Sequence, residues 1–469
     1  MTVRREPGEE VDASRRDPLA SEGGEATDAM TDPVAVDLDD GIAETMEEVA
    51  EEGDRPLQRG SLRTALRYGE FRRMFLGATL SNCGTWMQTV VMAAYAYELT
   101  GSPVFVGLMT FAYMVPQLVL SVLGGLLADT YDRRKVIATL AAIQMVLAFL
   151  LAAVTLQDDP SKVVLFVNVL LIGSGNALMA PSLSSLLPML VPRHELQSAV
   201  SLYAANLNLS RVIGPAIGGL LYASVGASLV FLLNAASYLF VIWAALGVRP
   251  QPRRAPTQTR GLRRLLGGFA VLRRDPIVGR CILTIALFGF FCLMFSAQLP
   301  VIAEENIGII AKSTAYGLLY ATFAAGALVG ALAIGSVLAA HRLDRLMRIF
   351  LAGFAVAIAA FGLVRSPWAA YPVIFVVGLC YFGSTTSLST IMQSRLDDRV
   401  RGRVMAVWLM AWGGTLPLGG LVAGVIIEIS NPTVPCLVAA VVAVVLIWVS
   451  AGVRDRGVEA GPALAAPTA

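Results

Sequence analysis

The stretch GGLLADTYDRRK, Gly124 to Lys135, joins two apolar segments of the chain, each long enough to cross a membrane. An apolar helix of about 20 residues spans roughly 30 Å of hydrocarbon, because each residue adds about 1.5 Å. The apolar part of the stretch ends at Asp129, and three positive charges, Arg133, Arg134 and Lys135, follow within six residues. A charged turn between two apolar helices predicts a loop at a membrane surface, and it raises the question of what Asp129 does there.

The whole chain is too apolar to fold in water: 56% of its 469 residues are hydrophobic, 15% are charged, and the mean hydropathy is +0.67. About twelve apolar runs are long enough to span a membrane. They begin near Met74, Pro103, Val136, Val163, Leu202, Leu229, Cys281, Thr314, Ile349, Tyr371, Val404 and Val434. Strands of a membrane barrel would be half as long and would alternate polar with apolar residues. We therefore predict an all-α integral membrane protein with twelve transmembrane helices.

Charge divides the chain into five parts. Residues 1–60 hold 18 of the 34 acidic residues and are predicted to form a disordered cytoplasmic tail, with an inert solvated role favoured over a regulatory one. Residues 61–248 and 278–453 each contain six apolar runs. The basic stretch 249–277 separates them, and residues 454–469 form a short C-terminal tail. The sequence thus predicts two six-helix bundles joined by a basic cytoplasmic linker.

Positive charge also predicts the orientation. Beyond residue 60, 26 Lys and Arg fall on the side of the N-terminus, three fall on the other side, and Arg211 lies within a span. Because basic loops stay on the inner side, both termini are expected to be cytoplasmic. In the linker, arginines occupy one side of a predicted helix and the opposite side carries Leu262, Leu265, Leu266, Phe269 and Leu272. This amphipathic helix is expected to lie on anionic lipids, and a nucleic acid or soluble partner is less favoured.

An internal repeat relates the two halves. GPAIGG, Gly214 to Gly219, in the fifth predicted helix matches TLPLGG, Thr415 to Gly420, in the eleventh. A weaker match pairs GGLLADTYDRR with GSVLAAHRLDR, Gly335 to Arg345, which has no equivalent of Asp129. Duplicated six-helix halves are how one large class of secondary transporters is built.

Short motifs match a known family, and the matching letters of the first loop are Gly125, Leu127, Ala128, Asp129, Arg133 and Arg134. They resemble the loop 2–3 signature of the major facilitator superfamily. GPAIGG resembles the helix 5 signature of its drug/proton antiporters, and GTWMQTV (Gly84 to Val90) with LTGSP (Leu99 to Pro103) resembles the bacterial transmembrane secretion effectors. The resemblance covers about Ser61 to Val453. It departs from the family pattern at Thr130, Asp132 and Ser210.

The resemblance implies the major facilitator fold, two pseudo-symmetric six-helix bundles. It also implies a secondary active transporter of the bacterial inner membrane that exports a small amphipathic molecule, such as a drug, siderophore or secondary metabolite, by alternating access. Uptake, or a transporter-like sensor or assembly factor without transport, would share these features. The expected partners are a small-molecule substrate, protons and membrane lipids, with no nucleic acid, and a monomer is expected.

The role of Asp129 can be predicted from the charges around it. Asp129 ends a helix whose C-terminus already carries partial negative charge, so it needs positive partners. Arg133 is one candidate, and the resemblance implies the N-terminal end of helix 11 as the other. We expect Gly125, Asp129, Arg133 and Arg134 to form a cytoplasmic latch between the halves, with Gly124 and Gly125 allowing close approach. The alternative is a basic topology anchor with an incidental acid.

The fifth helix carries the second candidate site. Arg211 is charged within a predicted span, which costs about 3 kcal/mol unless the side chain faces a cavity or partners. It either braces helices through carbonyls and amides or contacts an anionic or polar substrate. One face of the helix carries Asn208, Arg211 and Pro215, and the packing motif carries Ser210, Gly214, Gly218 and Gly219. Pro215 and Pro417 are expected to weaken equivalent helices in the two halves.

Other polar and aromatic residues at membrane depth could line a central cavity as a set, although each alone is more often a packing contact. They are Asn82, Trp86, Gln88, Gln117, Asn168, Asn176, Gln298, Tyr320, Tyr381, Trp408 and Trp412.

Several motifs that would indicate an energy source or an enzyme activity are missing from the sequence. The sequence has no Gly-Lys of a Walker loop, no G-x-S-x-G nucleophile motif and no Cys/His metal spacing, so no ATP, enzyme activity, cofactor or metal is expected. Asp129 is the carboxylate expected where both halves meet, and we predict that its protonation couples export to protons. In the alternative arrangement, Arg211 holds an anionic substrate whose own acid group carries the proton.

Overall fold

The computed structural model describes residues 64–249, 272–273, 275–338, 341–396 and 398–453. The predicted acidic tail 1–60, residues 250–271 with most of the amphipathic helix of the linker, and the C-terminal tail 454–469 lie outside the described residues.

Twelve long helices, α1 to α12, make up almost all of the described chain, counting as one the interrupted α7. They are α1 Gly69–Thr100, α2 Pro103–Thr130, α3 Arg133–Val154, α4 Lys162–Leu186, α5 Leu196–Val225, α6 Ala227–Gly247, α7 from Pro276–Leu287 onward, α8 Thr314–Gly335, α9 Leu343–Leu363, α10 Pro367–Gln393, α11 Asp398–Ile429 and α12 Thr433–Val449. Each begins at the predicted start or up to six residues before it, as Leu196 against Leu202 shows. The all-helical prediction is confirmed.

The tight turns between these helices follow from local chemistry. Gly101 ends α1 with a φ of 60°, a left-handed conformation that glycine adopts without strain. Ser102 then caps α2, accepting a hydrogen bond from the Phe105 amide before Pro103 starts the helix. At the other end of α2, the Asp132 side chain caps α3 through the Arg134 amide. These caps place Glu98 and Asp129 at opposite ends of the helix bundle.

Ten of these helices are long and apolar enough to cross a membrane within the part of the chain that the structure describes. The two others, α1 and α5, have 32 and 30 residues but carry more polar side chains, including Gln88 and Arg211. Those polar groups lie against other helices, where hydrogen bonds or ring contacts replace water. This explains why two spans are less apolar than the prediction of twelve similar runs assumed.

The helix that is interrupted is α7, which the sequence did not single out. After Leu287 the chain widens into a π-helical turn, Phe288–Cys292, and continues in short pieces to a second one, Ile302–Ile307. In contrast, α5 and α11 run without a break through Pro215 and Pro417. A proline removes one helical hydrogen bond, and close packing by neighbouring helices can hold the rest of the helix in place.

Two glycine contacts join the first six helices to the second six. On α5, a side chain added at Gly219 would place its Cβ 2.5 Å from the Cα of Gly317 on α8. On α2, a Cβ at Gly107 would lie 2.8 Å from the Gly420 carbonyl oxygen of α11. Gly219 and Gly420 are the last letters of GPAIGG and TLPLGG. The sequence repeat therefore corresponds to two equivalent contacts between the halves, α5 with α8 and α2 with α11.

Candidate functional site

At the end of the bundle that holds the α1–α2 turn, here named the Glu98 end, polar side chains bridge the halves. Lys312, just before α8, lies 2.8 Å from the Glu98 carboxylate, which also accepts a hydrogen bond from the Tyr222 hydroxyl. Two further hydrogen bonds also connect the halves. The Tyr97 hydroxyl donates to Glu305 at 2.6 Å, and the Ser102 hydroxyl donates to Glu428 at 3.4 Å. No role was assigned to these three carboxylates from the sequence.

Gln298 completes the closure of the Glu98 end. It is fully buried in the interrupted part of α7, and its amide donates to the carbonyl oxygens of Pro103 and Gly420, each at 3.0 Å. One side chain therefore ties α7 to both α2 and α11. The expectation that Gln298 lines a cavity is wrong in this conformation, because the neighbouring Gly107 and Gly424 let the helices close around it.

The opposite end, here named the Asp129 end, is arranged differently. Asp129 is exposed and forms no hydrogen bond or ion pair with a described residue. Arg133 contacts the Met189 sulfur at 2.8 Å, and Arg134 bonds Asp132 at 2.7 Å and the Val248 carbonyl at 2.9 Å. These partners all belong to the first six helices. Among the described residues, no hydrogen bond or ion pair joins Asp129, Arg133 or Arg134 to the second half, and the latch stays a prediction.

Gly125 also departs from its prediction. A Cβ built there would meet nothing within 4 Å, whereas one on Gly124 would come within 2.8 Å of the Ala177 carbonyl on α4. Successive helical residues point about 100° apart, so only one of two adjacent glycines can face a given neighbour. The close contact at this end lies within the first half, at Gly124.

The loop after α2 forms a basic pocket of about 480 Å³, lined by Tyr131, Asp132, Arg133, Arg134, Met189 and Arg249. The guanidinium of Arg134, hydrogen-bonded to Asp132, holds the pKa of that carboxyl below its usual value. Asp132 therefore stays ionised and keeps Arg134 engaged within the loop. This departure from the family pattern gives Arg134 a local partner and leaves it less free to serve a latch.

The glycines of α5 pack as the sequence predicts. A Cβ at Gly214 would lie 2.6 Å from Cβ of Trp86, and one at Gly218 would lie 3.1 Å from the Met87 Cα. Ser210, on the same stripe, is fully buried at 3.5 Å from the Cys83 sulfur. The close contact of α5 with α1 is confirmed. The Asn208 amide donates to the Ala204 carbonyl of its own helix, at 2.9 Å.

Arg211 lies halfway along α5, at the sixteenth of its 30 residues. Its guanidinium carbon is 4.8 Å from the ring centre of Trp86 on α1 and 5.4 Å from that of Phe382 on α10. Within the described chain it makes no hydrogen bond or ion pair, and its Nε is buried without a partner. A brace to carbonyls and amides is therefore wrong for this conformation, and aromatic rings from both halves surround the charge instead.

The rings around Arg211 continue into a larger group, which we name the aromatic cluster: Trp86, Phe288, Tyr320, Phe323, Tyr381, Phe382 and Trp412. Trp86 lies 6.5 Å from Tyr320 across the two halves, and the Trp412 indole donates to the Tyr381 hydroxyl at 3.1 Å. The sequence identified four of these members but missed the three phenylalanines. A phenylalanine inside an apolar span cannot be distinguished in the sequence from ordinary packing residues. The charge of Arg211 within a span was the feature that indicated a site here.

The other predicted cavity residues separate into different environments. Three make packing hydrogen bonds within the first half: Gln88 accepts from the Asn234 amide at 2.7 Å, Asn168 donates to the Leu147 carbonyl at 3.2 Å, and Asn176 donates to the Tyr113 hydroxyl at 2.8 Å. Trp408 is 6% exposed, and Gln117 is exposed and forms no hydrogen bond with the described residues. Asn82 keeps a buried amide nitrogen without a partner. The described residues therefore do not gather into one cavity: among the predicted members Trp86 contacts Arg211, and Tyr320, Tyr381 and Trp412 belong to the aromatic cluster.

Comparison with known proteins agrees with this architecture. The family of transmembrane secretion effectors matches residues 61–462. An enterobactin exporter of Shigella boydii is 33% identical over 324 residues, covering 66% of this chain and 70% of that protein. A major facilitator transporter of Sinorhizobium fredii is 28% identical over 76% of this chain and 87% of its own.

Among solved structures, the nucleoside transporter NupG superposes with a TM-score of 0.66 at 16% identity, over 81% of this chain and 98% of its own. This likeness shows a shared fold. With the family match over most of its length, the chain belongs to the transmembrane secretion effectors of the major facilitator superfamily.

Proposed function

We propose that this transporter exports a small organic molecule across the bacterial inner membrane by alternating access, and that the conformation described above is open toward the cytoplasm. The observation that carries the proposal is the contrast between the ends: polar side chains from both halves meet at the Glu98 end, while Asp129 is exposed and unpaired within the described chain. Arg211 and its rings lie between the halves at mid-length, where a substrate would be reached from either side in turn.

The Asp129 end is assigned to the cytoplasm on the basis of charge. Basic residues beyond the tail are concentrated on that side of the sequence, 26 against three, and basic loops remain inside during insertion. With this orientation, both termini are cytoplasmic and Glu98 faces the periplasm. Similarity to enterobactin exporters supports export rather than uptake.

We also propose that export is coupled to protons through Asp129, although Asp129 is not the only carboxylate near the boundary between the halves. Asp129 was expected to be the one carboxylate between the halves, yet Glu98, Glu305 and Glu428 bridge them at the other end. Asp129 remains the candidate for switching because it is unpaired here and would gain positive partners when the Asp129 end closes. Its proton would then be exchanged once per cycle, as the latch forms and opens.

Deletion of the gene tests the proposal. Cells without the transporter should accumulate the exported compound, and wild-type protein should restore its appearance in the medium. In proteoliposomes, preloaded compound should drive counterflow of the labelled form. A sensor or assembly factor would restore neither export nor counterflow, and uptake would deplete the medium instead.

A further inference from the structure

The charge of Arg211 lacks a counterion within the described chain. The described carboxylates lie in loops or near helix ends, as Glu98 and Asp129 do, far from the middle of α5. A guanidinium at this depth costs several kcal/mol unless a cavity or a partner compensates it. Ring faces recover only about 0.5–2 kcal/mol of that cost. The site therefore retains a positive charge that an incoming anion would neutralise.

The surroundings of this charge specify more than its sign. Trp86 and Phe382 present ring faces to the guanidinium from opposite halves, at 4.8 and 5.4 Å. Tyr320 extends this apolar surface on the second half. Trp86, Phe382 and Arg211 are each only partly buried. Flat aromatic ligands gain both apolar contact and stacking on such rings.

We propose that Arg211 and the aromatic cluster bind the transported molecule as an aromatic organic anion, with its carboxylate or phenolate on Arg211 and its ring between Trp86 and Phe382. This inference rests on the proposed transport function and adds the chemistry of the substrate. An aromatic cation would be repelled by Arg211, and an aliphatic anion would lose the stacking. Because Trp86 and Phe382 belong to different halves, the ligand would contact both halves at once.

The test measures binding to the purified full-length protein in lipid nanodiscs, with three probes of similar size. They are 2-naphthoate as the aromatic anion, 2-naphthylmethylamine as the aromatic cation and decahydro-2-naphthoate as the aliphatic anion. Titration calorimetry should show 2-naphthoate binding about tenfold or more tightly than either of the others, the size expected for one charged hydrogen bond or a set of ring contacts. Equal affinities, or no binding of 2-naphthoate, would overturn the proposal.

Variants separate the charge from the rings. Arg211→Gln should remove the preference for 2-naphthoate over the amine, Arg211→Lys should keep that preference at weaker affinity, and Phe382→Leu should remove the preference over decahydro-2-naphthoate. Arg73→Gln is the matched control, because Arg73 also stacks on a tryptophan, Trp243, at 4.8 Å, but at a distance from the site.

The outcomes also distinguish this inference from the transport proposal. Unchanged 2-naphthoate binding by a folded Arg211→Gln protein overturns the assignment of the anion to Arg211, and a similar loss in Arg73→Gln overturns its location. If gene deletion still causes a metabolite to accumulate while 2-naphthoate fails to bind, the substrate chemistry is wrong and the transporter assignment stands.

Discussion

The two ends of the helix bundle use similar residue types in opposite ways. At the Glu98 end, the carboxylate of one half meets Lys312 of the other at 2.8 Å, and buried Gln298 bonds both halves. At the Asp129 end, Arg133 and Arg134 bond within their own half and Asp129 is exposed. A charged residue thus holds the halves together only where close helix packing brings a partner from the other half within reach.

Packing accounts for much of the difference. The glycine pairs that cross between the halves, Gly219 with Gly317 and Gly107 with Gly420, are in contact in this conformation. At the Asp129 end, Gly125 faces open space. Ion pairs with side chains about 40% exposed contribute little alone, so the glycine contacts and Gln298 should dominate closure.

The largest expected effect comes from breaking a glycine crossing. Gly219→Leu adds four carbons where a Cβ alone would lie 2.5 Å from Gly317, so the Glu98 end should be unable to close. Such overpacking costs about 1–3 kcal/mol or more, and we expect export to fall by about tenfold or more at normal expression. Measured efflux from complemented deletion cells checks this.

The control for that change is Gly69→Leu, because a Cβ at Gly69 meets nothing within 4 Å. It should export normally. Gly218→Leu should also be impaired, through its 3.1 Å contact with Met87 inside the first half. Wild-type efflux by Gly219→Leu would show that the crossing does not control closure.

A smaller effect should follow from Asp129→Asn, which tests the open end. In inverted vesicles, an imposed inside-acid gradient should drive uptake by the wild type. The variant should respond to the gradient about tenfold less while passive exchange continues, because the amide cannot be protonated or attract positive partners as the latch closes. A full response in the variant would favour the arrangement in which the substrate carries the proton.

Prediction from sequence succeeded where the pattern was local. Helix starts follow from the apolar period to within six residues, and the small residues Gly214 and Gly218 lie at close helix contacts. It failed for Gln298 and Gly125, because both depend on which conformation the halves adopt. The described residues form bonds between the halves at the Glu98 end but not at Asp129, and periodicity contains no information about that difference.

The site around Arg211 illustrates a second limit. The sequence left a brace and a substrate contact equally open, since a charge in a span demands some partner but does not name it. The structure shows that one neighbour of Arg211 is Phe382, which belongs to the other half. Phe382 is one of 19 phenylalanines in the chain, and nothing in the sequence distinguishes it from the others. Contacts between distant segments cannot be read from the residues of one helix.

Weakening the ion pair between Glu98 and Lys312 should modestly increase the access of solutes to the Glu98 end. Ala297→Cys, in a background without the five native cysteines, places a thiol at a buried position of the Glu98 end. Glu98→Gln should then raise its labelling by an impermeant maleimide about two- to fivefold, since a partly exposed pair contributes about 1 kcal/mol or less. Labelling equal to that of the parent would assign closure to Gln298 and the glycines alone.

The smallest expected effect is a difference in thermal stability between the variants Glu98→Gln and Asp129→Asn. Glu98 loses an ion pair to Lys312 and weakens its bond from Tyr222 when it becomes glutamine, so the melting temperature in nanodiscs should fall by about 2 °C. Asp129 has no bonded partner in the described chain, so Asp129→Asn should leave the melting temperature of this state unchanged. Because both changes remove one carboxylate charge, the general loss of charge cancels between them and only the partners differ. Equal shifts in the two variants would mean that the ends are alike in solution, and a larger loss in Asp129→Asn would indicate that a closed Asp129 end is the prevailing state.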